Sequence, residues 1–162
     1  MDFLAKHWGD LASIVGLAFA IYLAHQAKNA AEQARDAARA ARDRIFSLDA
    51  ISELTAAKMA LNEIIRLQRL DARSVPWDIV LERYGSARDS LVRCAEGSGV
   101  PDEQRQSIGE AIVLLRIMEE SIERACIEGD PGRLDTARFN QSLSARRDDL
   151  ERARIAIERA EI

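Results

Sequence analysis

Three hydrophobic patterns follow one another along the chain. From Leu11 to Ala24 (LASIVGLAFAIYLA) no charged side chain occurs. From Ala24 the small apolar residues fall into a 3,4 alternation through Ala27, Ala31, Ala34, Ala38 and Ala41 to Ile45 and Leu48, the spacing that keeps one stripe of a helix facing a partner. Beyond Ile45 the apolar density rises through Ile51, Leu54, Met59, Leu61, Ile64, Ile65, Leu67 and Leu70. The stalk helix is therefore expected to continue as the first helix of a bundle and to end before Pro76, with a break over 73–76, because the residue before a proline disfavours helix. A second helix is predicted from Trp77 to Ala95, stopped by the GSGV stretch at Gly97–Val100. Pro101 followed by Asp102 and Glu103 marks the start of a third. That helix carries Ile108, Ile112, Val113, Leu115, Ile117, Met118 and Ile122, and stops at Gly129 with Pro131 behind it. A fourth runs from Asp135 to Ala160 with Phe139, Leu143, Leu150, Ala153 and Ile157 on its buried face. Short connections imply antiparallel neighbours in an up-down bundle.

The expected fold is all-α. An N-terminal transmembrane helix (1–27) continues as an Ala-rich coiled-coil stalk (28–47) into a cytoplasmic helical bundle (48–162). Composition agrees: of 162 residues 48% are apolar and only 8 are Gly and 3 Pro, which fits disordered and strand-rich classes poorly. Against 27 acids stand 23 basic residues, 20 Arg and 3 Lys, and the net charge of −4 argues against a surface built for duplex DNA. The Arg excess suits phosphate recognition, and equally the codon bias of a GC-rich genome. Cys94 and Cys126 form no CxxC pair and have no His near them in sequence, so they read as reduced thiols.

The apolar run is short for a membrane: 14 residues at 1.5 Å each reach about 21 Å, against a hydrocarbon core of about 30 Å. Including Phe3, Leu4, Trp8 and the neutral stretch to Ala27 lengthens it to about 20 residues, and local thinning of the bilayer absorbs the rest. A cleaved signal peptide and a buried soluble helix are the alternatives, the first disfavoured by Asp2 and Asp10 in the leader. Lys28, Arg35, Arg39, Arg42 and Arg44 follow the run and only Lys6 precedes it. By the positive-inside rule the N-terminus lies outside a bacterial inner membrane, which is crossed once, and the bulk lies in the cytoplasm.

Small residues recur at Ala12, Gly16, Ala20 and Ala24, the spacing that lets helices approach closely in lipid. Together with the alanine seam they favour parallel self-association over a solvated stalk held by charge pairs such as Asp36 with Arg39. A pore is the functional extension, with Asp10 at the outer mouth, Ser13 within, and His25, Gln26 and Asn29 at the inner mouth. Anchoring alone is the plainer alternative.

No phosphate loop, dinucleotide fingerprint, zinc or calcium motif occurs, and neither histidine lies in the soluble domain, so neither an enzyme nor a cofactor is expected. Where the bundle binds a ligand, an anion fits best. Arg138, Arg146 and Arg147, in and around the stretch FNQSLSARR, could meet Arg66, Arg69 or Arg73, with Phe139, Trp77 or Tyr84 for base stacking. Pairing of these arginines with acids on neighbouring helices is the competing expectation.

The opening WGDLASIVGLAFAIYLAHQAKNAAEQARDAARAARDRI resembles the N-terminus of small bacterial membrane-anchored helical effectors of anti-phage defence, most nearly the Hailong-type channel effectors. The remainder shares only their layout. The resemblance implies a tetrameric channel whose cytoplasmic helices sense a deoxyadenylate oligonucleotide made by a partner nucleotidyltransferase. Two classes of function result: a self-assembling ion-conducting membrane effector, and a non-conducting tethered scaffold whose bundle recruits a protein.

Overall fold

The computed structural model describes residues 2–70 and 74–160, without the side chains of residues 2–12, 14, 15, 18 and 160. Among the described residues there are four α-helices, α1 (Asp2–Leu67), α2 (Trp77–Glu96), α3 (Asp102–Ile127) and α4 (Thr136–Ala160), a 3-10 turn at Pro131–Arg133, and no strand. The chain divides into two units, Met1–Arg42 and Asp43–Ile162. The first consists of the N-terminal part of α1 and is helical throughout its described residues. Among the described residues no helix is long and apolar enough to cross a membrane. Leu11, Ala12, Ile14, Val15 and Ala18 of the apolar run lie outside the described side chains.

The second unit is an up-down bundle, and its polar contacts give the direction of each pairing. As α1 advances from Glu53 to Glu63, its partners on α2 step back from Arg93 to Arg83. As it advances from Lys58 to Asn62, its partners on α4 step back from Glu151 to Arg147. The first turns of α3 (Glu103, Gln104, Ser107) share a groove with the last turns of α4 (Asp149, Arg152, Ala153, Ala156), and Glu110 meets Arg146 further along. Arg88 of α2 pairs with Glu119 of α3. Each helix thus runs antiparallel to its neighbours, as short connections require.

Local chemistry explains the ends. Asp135 caps α4, its Oδ1 accepting the Arg138 amide at 2.9 Å. Gly129 takes a positive φ of 73°, which closes α3. Arg105 clasps the α2–α3 loop, donating to the carbonyls of Val100 and Gly97 at 2.9 and 2.8 Å. The end of α1 differs from expectation. The helix stops at Leu67, well before Pro76, in a turn tightened by the Arg69 and Leu70 amides bonding the Arg66 and Leu67 carbonyls. Leu70 is consequently 49% exposed, whereas Gln68 is buried at 2%.

The core takes one stripe from each helix: Ala50, Leu54, Ala57, Leu61 and Ile64 of α1, Val80, Tyr84, Ala87 and Leu91 of α2, Ile108, Ala111, Leu115, Met118 and Ile122 of α3, and Leu143, Leu150, Ala153 and Ile157 of α4. Of the expected fourth-helix face, Phe139 alone is half-buried. Within this apolar interior the Tyr84 hydroxyl accepts from Gln68 Nε2 at 3.1 Å and lies 3.6 Å from Met118 Sδ. Burial pushes the phenol above its ordinary range, only partly offset by that amide, so it stays neutral.

Candidate functional site

Two places answer to the expected functions, and each lies within one unit. On α1, every residue from Gly16 to Ile45 whose side chain is described is exposed. The exposed residues include Leu17, Phe19, Ile21, Tyr22 and Leu23, which surround the helix rather than marking one face. A helix in water normally buries its large apolar side chains; a cluster left bare marks a surface for lipid or protein. Ser13, His25, Gln26 and Asn29 are all exposed on this helix, as are Gly16, Ala20, Ala24, Ala27, Ala31, Ala34, Ala38 and Ala41. The side chains of Asp10 and Ala12 lie outside the described residues. Exposed charge pairs lie along the stalk, among them Lys28 with Glu32 at 3.9 Å and Arg39 with Asp36 at 3.7 Å, too long and too hydrated to contribute much.

In the bundle, three of the arginines expected to gather around an anion, Arg66, Arg146 and Arg147, each meet a polar partner of their own. Arg146 and Arg147 are adjacent in sequence and therefore about 100° apart around α4. Arg146 turns to α3, bonding Glu110 at 3.1 Å and also Asp149 at 3.2 Å. Arg147 turns to α1, reaching Asn62 Oδ1 at 3.4 Å while holding Asp148 at 2.9 Å. Asn62 precedes Arg66 by one turn, so Arg147 and Arg66 belong to the same edge; Arg66 lies 3.9 Å from Glu63. Arg69 and Arg138 are exposed, and Arg73 lies outside the described residues. Neighbouring acids account for the bonded arginines. Tyr84 and Trp77 are buried, at 0% and 8% exposure, which removes both from base stacking; Phe139 is half-buried.

The GSGV loop forms no phosphate cradle. A Cβ on Gly99 would lie 2.6 Å from the Phe46 carbonyl carbon, so the loop rests on the α1 backbone. Both cysteines are free, and burial raises the Cys94 thiol to about 11, leaving it protonated and unreactive. Among the described residues no group of three His, Cys, Asp or Glu side chains could hold a metal.

Sequence reasoning missed one surface. Val113 and Ile117, named among the apolar residues of the third helix with no face assigned, are 58% and 56% exposed. With Gly109, Glu110, Leu114 and Arg146 they line a shallow, mostly apolar groove. Both belong to a helix with more apolar residues than one stripe can bury, and the positions of α2 and α4 determine which are covered.

Comparisons with protein-family models, curated proteins and solved structures find no match for this chain.

Proposed function

We propose that this protein is an oligomeric membrane effector: the N-terminal part of α1 inserts in a bacterial inner membrane, several copies associate through the Gly16–Ala20–Ala24 side and the alanine seam, and the assembly conducts ions under control of the bundle. The observation that carries the reading is the ring of exposed Leu17, Phe19, Ile21, Tyr22 and Leu23 beside the small residues Gly16 and Ala20. Large apolar groups favour lipid, small ones allow backbones to approach, and the basic residues that follow hold the remainder on the cytoplasmic side. Ser13, His25, Gln26 and Asn29 then supply polar rings to the conducting path, with Asp10 at its outer mouth.

For control, the likeness of the leader to anti-phage channel effectors supports a deoxyadenylate oligonucleotide signal supplied by a partner nucleotidyltransferase. Arg147 and Arg66 on one edge, with Arg69 beyond the end of α1, are the groups that would meet it. Binding would require the carboxylate partners of Arg147 and Arg66, Asp148 and Glu63, to yield, and the contacts to an anionic ligand should weaken steeply with salt.

Reconstitution in liposomes loaded with a potassium-sensitive dye tests the reading. Ion leakage that depends on protein and changes on adding a deoxyadenylate oligomer supports it; intact liposomes under all conditions overturn conduction. The groove of Val113, Leu114 and Ile117 favours a second reading, a non-conducting tethered scaffold that recruits a protein through its bundle. Tight liposomes combined with stable membrane insertion would select it.

A further inference from the structure

The side of α1 turned away from the bundle core is apolar where a peripheral helix has no internal need to be. Ala50, Leu54, Ala57, Leu61 and Ile64 face the core at 3% exposure or less. Leu48 precedes Ala50 by two residues, about 200° of rotation, and so sits on the opposite side. There Ile45, Leu48 and Met59 are 58%, 53% and 67% exposed. Ser52 and Thr55 between them are exposed as well, and the Thr55 hydroxyl is satisfied within its own helix by the Ile51 carbonyl at 2.8 Å. Positions 45, 48, 52, 55 and 59 continue the 3,4 alternation of the alanine seam without a break in register.

Charge says what covers this face. Arg44 and Asp49 flank the Ile45–Leu48 pair; both are exposed, and among the described residues neither forms an ion pair within the chain. Five residues apart on one helix, they do not face each other. With Ile45 and Leu48 at the two core positions of a heptad, Arg44 holds the position before the first and Asp49 the position after the second. In a parallel pair of helices these are the positions that meet across the seam, Arg against Asp. An antiparallel pair would set Arg44 against Arg44. One heptad on, the corresponding positions are the uncharged Ile51 and Ala56; two heptads on, Lys58 and Glu63 are already engaged within the chain by Glu151 at 2.9 Å and by Arg83 at 2.9 Å, which leaves Arg44 and Asp49 as the selective charges.

We propose that the outward face of α1 from Arg44 to Met59 binds the same face of a second copy, parallel and in register, with Arg44 of one copy paired to Asp49 of the other. This rests on the reading that α1 self-associates, and carries the contact onto the outside of the folded bundle. The same helix then packs the core with one side and the neighbouring copy with the other, so repacking inside one bundle reaches the assembly directly.

Single cysteines at Leu48 (Leu48→Cys) and Met59 (Met59→Cys), in full-length protein carrying Cys126→Ser, test it with a short bismaleimide in bacterial membranes. Covalent dimers should form at both positions, since an antiparallel pair can bring only one of them to its symmetry mate. Adding Arg44→Glu should reduce the Leu48→Cys product several-fold, and adding Asp49→Arg to that variant should restore it. Product at only one position overturns the parallel register, and product indifferent to Arg44→Glu overturns the charge pairing. Cross-linking through Ala34→Cys with none at 48 or 59 overturns this proposal and leaves self-association standing. No product at any of the three overturns both.

Discussion

The backbone of Phe46 leaves no room for a side chain at Gly99: a Cβ there would lie 2.6 Å from the Phe46 carbonyl carbon and 2.6 Å from the Ser47 nitrogen. Both obstacles are helix backbone, which cannot rotate aside. Gly99→Ala should therefore push the α2–α3 loop off α1 and destabilise the bundle by about 1–3 kcal/mol, read as a lower denaturant midpoint. Gly109→Ala is the control, since its Cβ would meet nothing within 4 Å and alanine favours helix. Equal loss in both variants would show that the close approach does not govern stability.

Tyr84→Phe removes the hydroxyl that accepts from Gln68 Nε2 and leaves that buried amide without a partner. The amide's own oxygen already has no hydrogen-bond partner. A loss of about 1–3 kcal/mol is expected. Combining Tyr84→Phe with Gln68→Leu should recover part of it, because an apolar pair leaves no donor stranded. A double variant no better than Tyr84→Phe would refute the coupling.

Glu151 sets a pH dependence. Hydrogen bonds from Arg154, then from Lys58, hold its carboxyl at about 2, below its ordinary 4.5. A carboxyl lowered by folding stabilises the protein above the unfolded value, and that contribution disappears as pH falls from about 4.5 through about 2. Wild-type protein should exceed Glu151→Gln in stability at pH 7, with the gap closing on acidification. A gap unchanged across denaturation curves at descending pH would exclude this linkage.

Gly16 has nothing within 4 Å of the place a Cβ would occupy. A Cβ at Gly16 thus meets no obstacle among the described residues, and a loss of oligomer mass in detergent on Gly16→Leu is expected from contact with another copy. Ala20→Leu should act alike. Wild-type mass in both variants would remove this side from the interface.

The unit Asp43–Ile162 contains the bundle core. A fragment of those residues should be strongly helical by circular dichroism and melt cooperatively. A weak helical spectrum with a gradual melt would mean that the bundle needs the rest of the assembly.

Element type and most boundaries were legible in the sequence because they depend on a few neighbouring residues. Pro101 before Asp102 and Glu103, Gly129 before Pro131, and Asp135 before α4 act locally through backbone φ, the helix dipole and a capping carboxylate. The same holds for the alanine alternation, which is a property of one helix. What faces what was not legible. Val113 and Leu115 are equally apolar on paper, yet Leu115 is 2% exposed and Val113 58%, because α2 and α4 approach one side of α3 only. Gln68 is buried while Leu70 is not, since α1 ends earlier than Pro76 suggests and the Tyr84 hydroxyl supplies the amide's partner. Arg146 and Arg147 look like one basic patch in sequence, but a step of about 100° around the helix sends them to Glu110 and to Asn62 on different neighbours. Sequence fixes which groups a helix can present; only packing between distant segments selects the ones that are covered, paired or left for a partner.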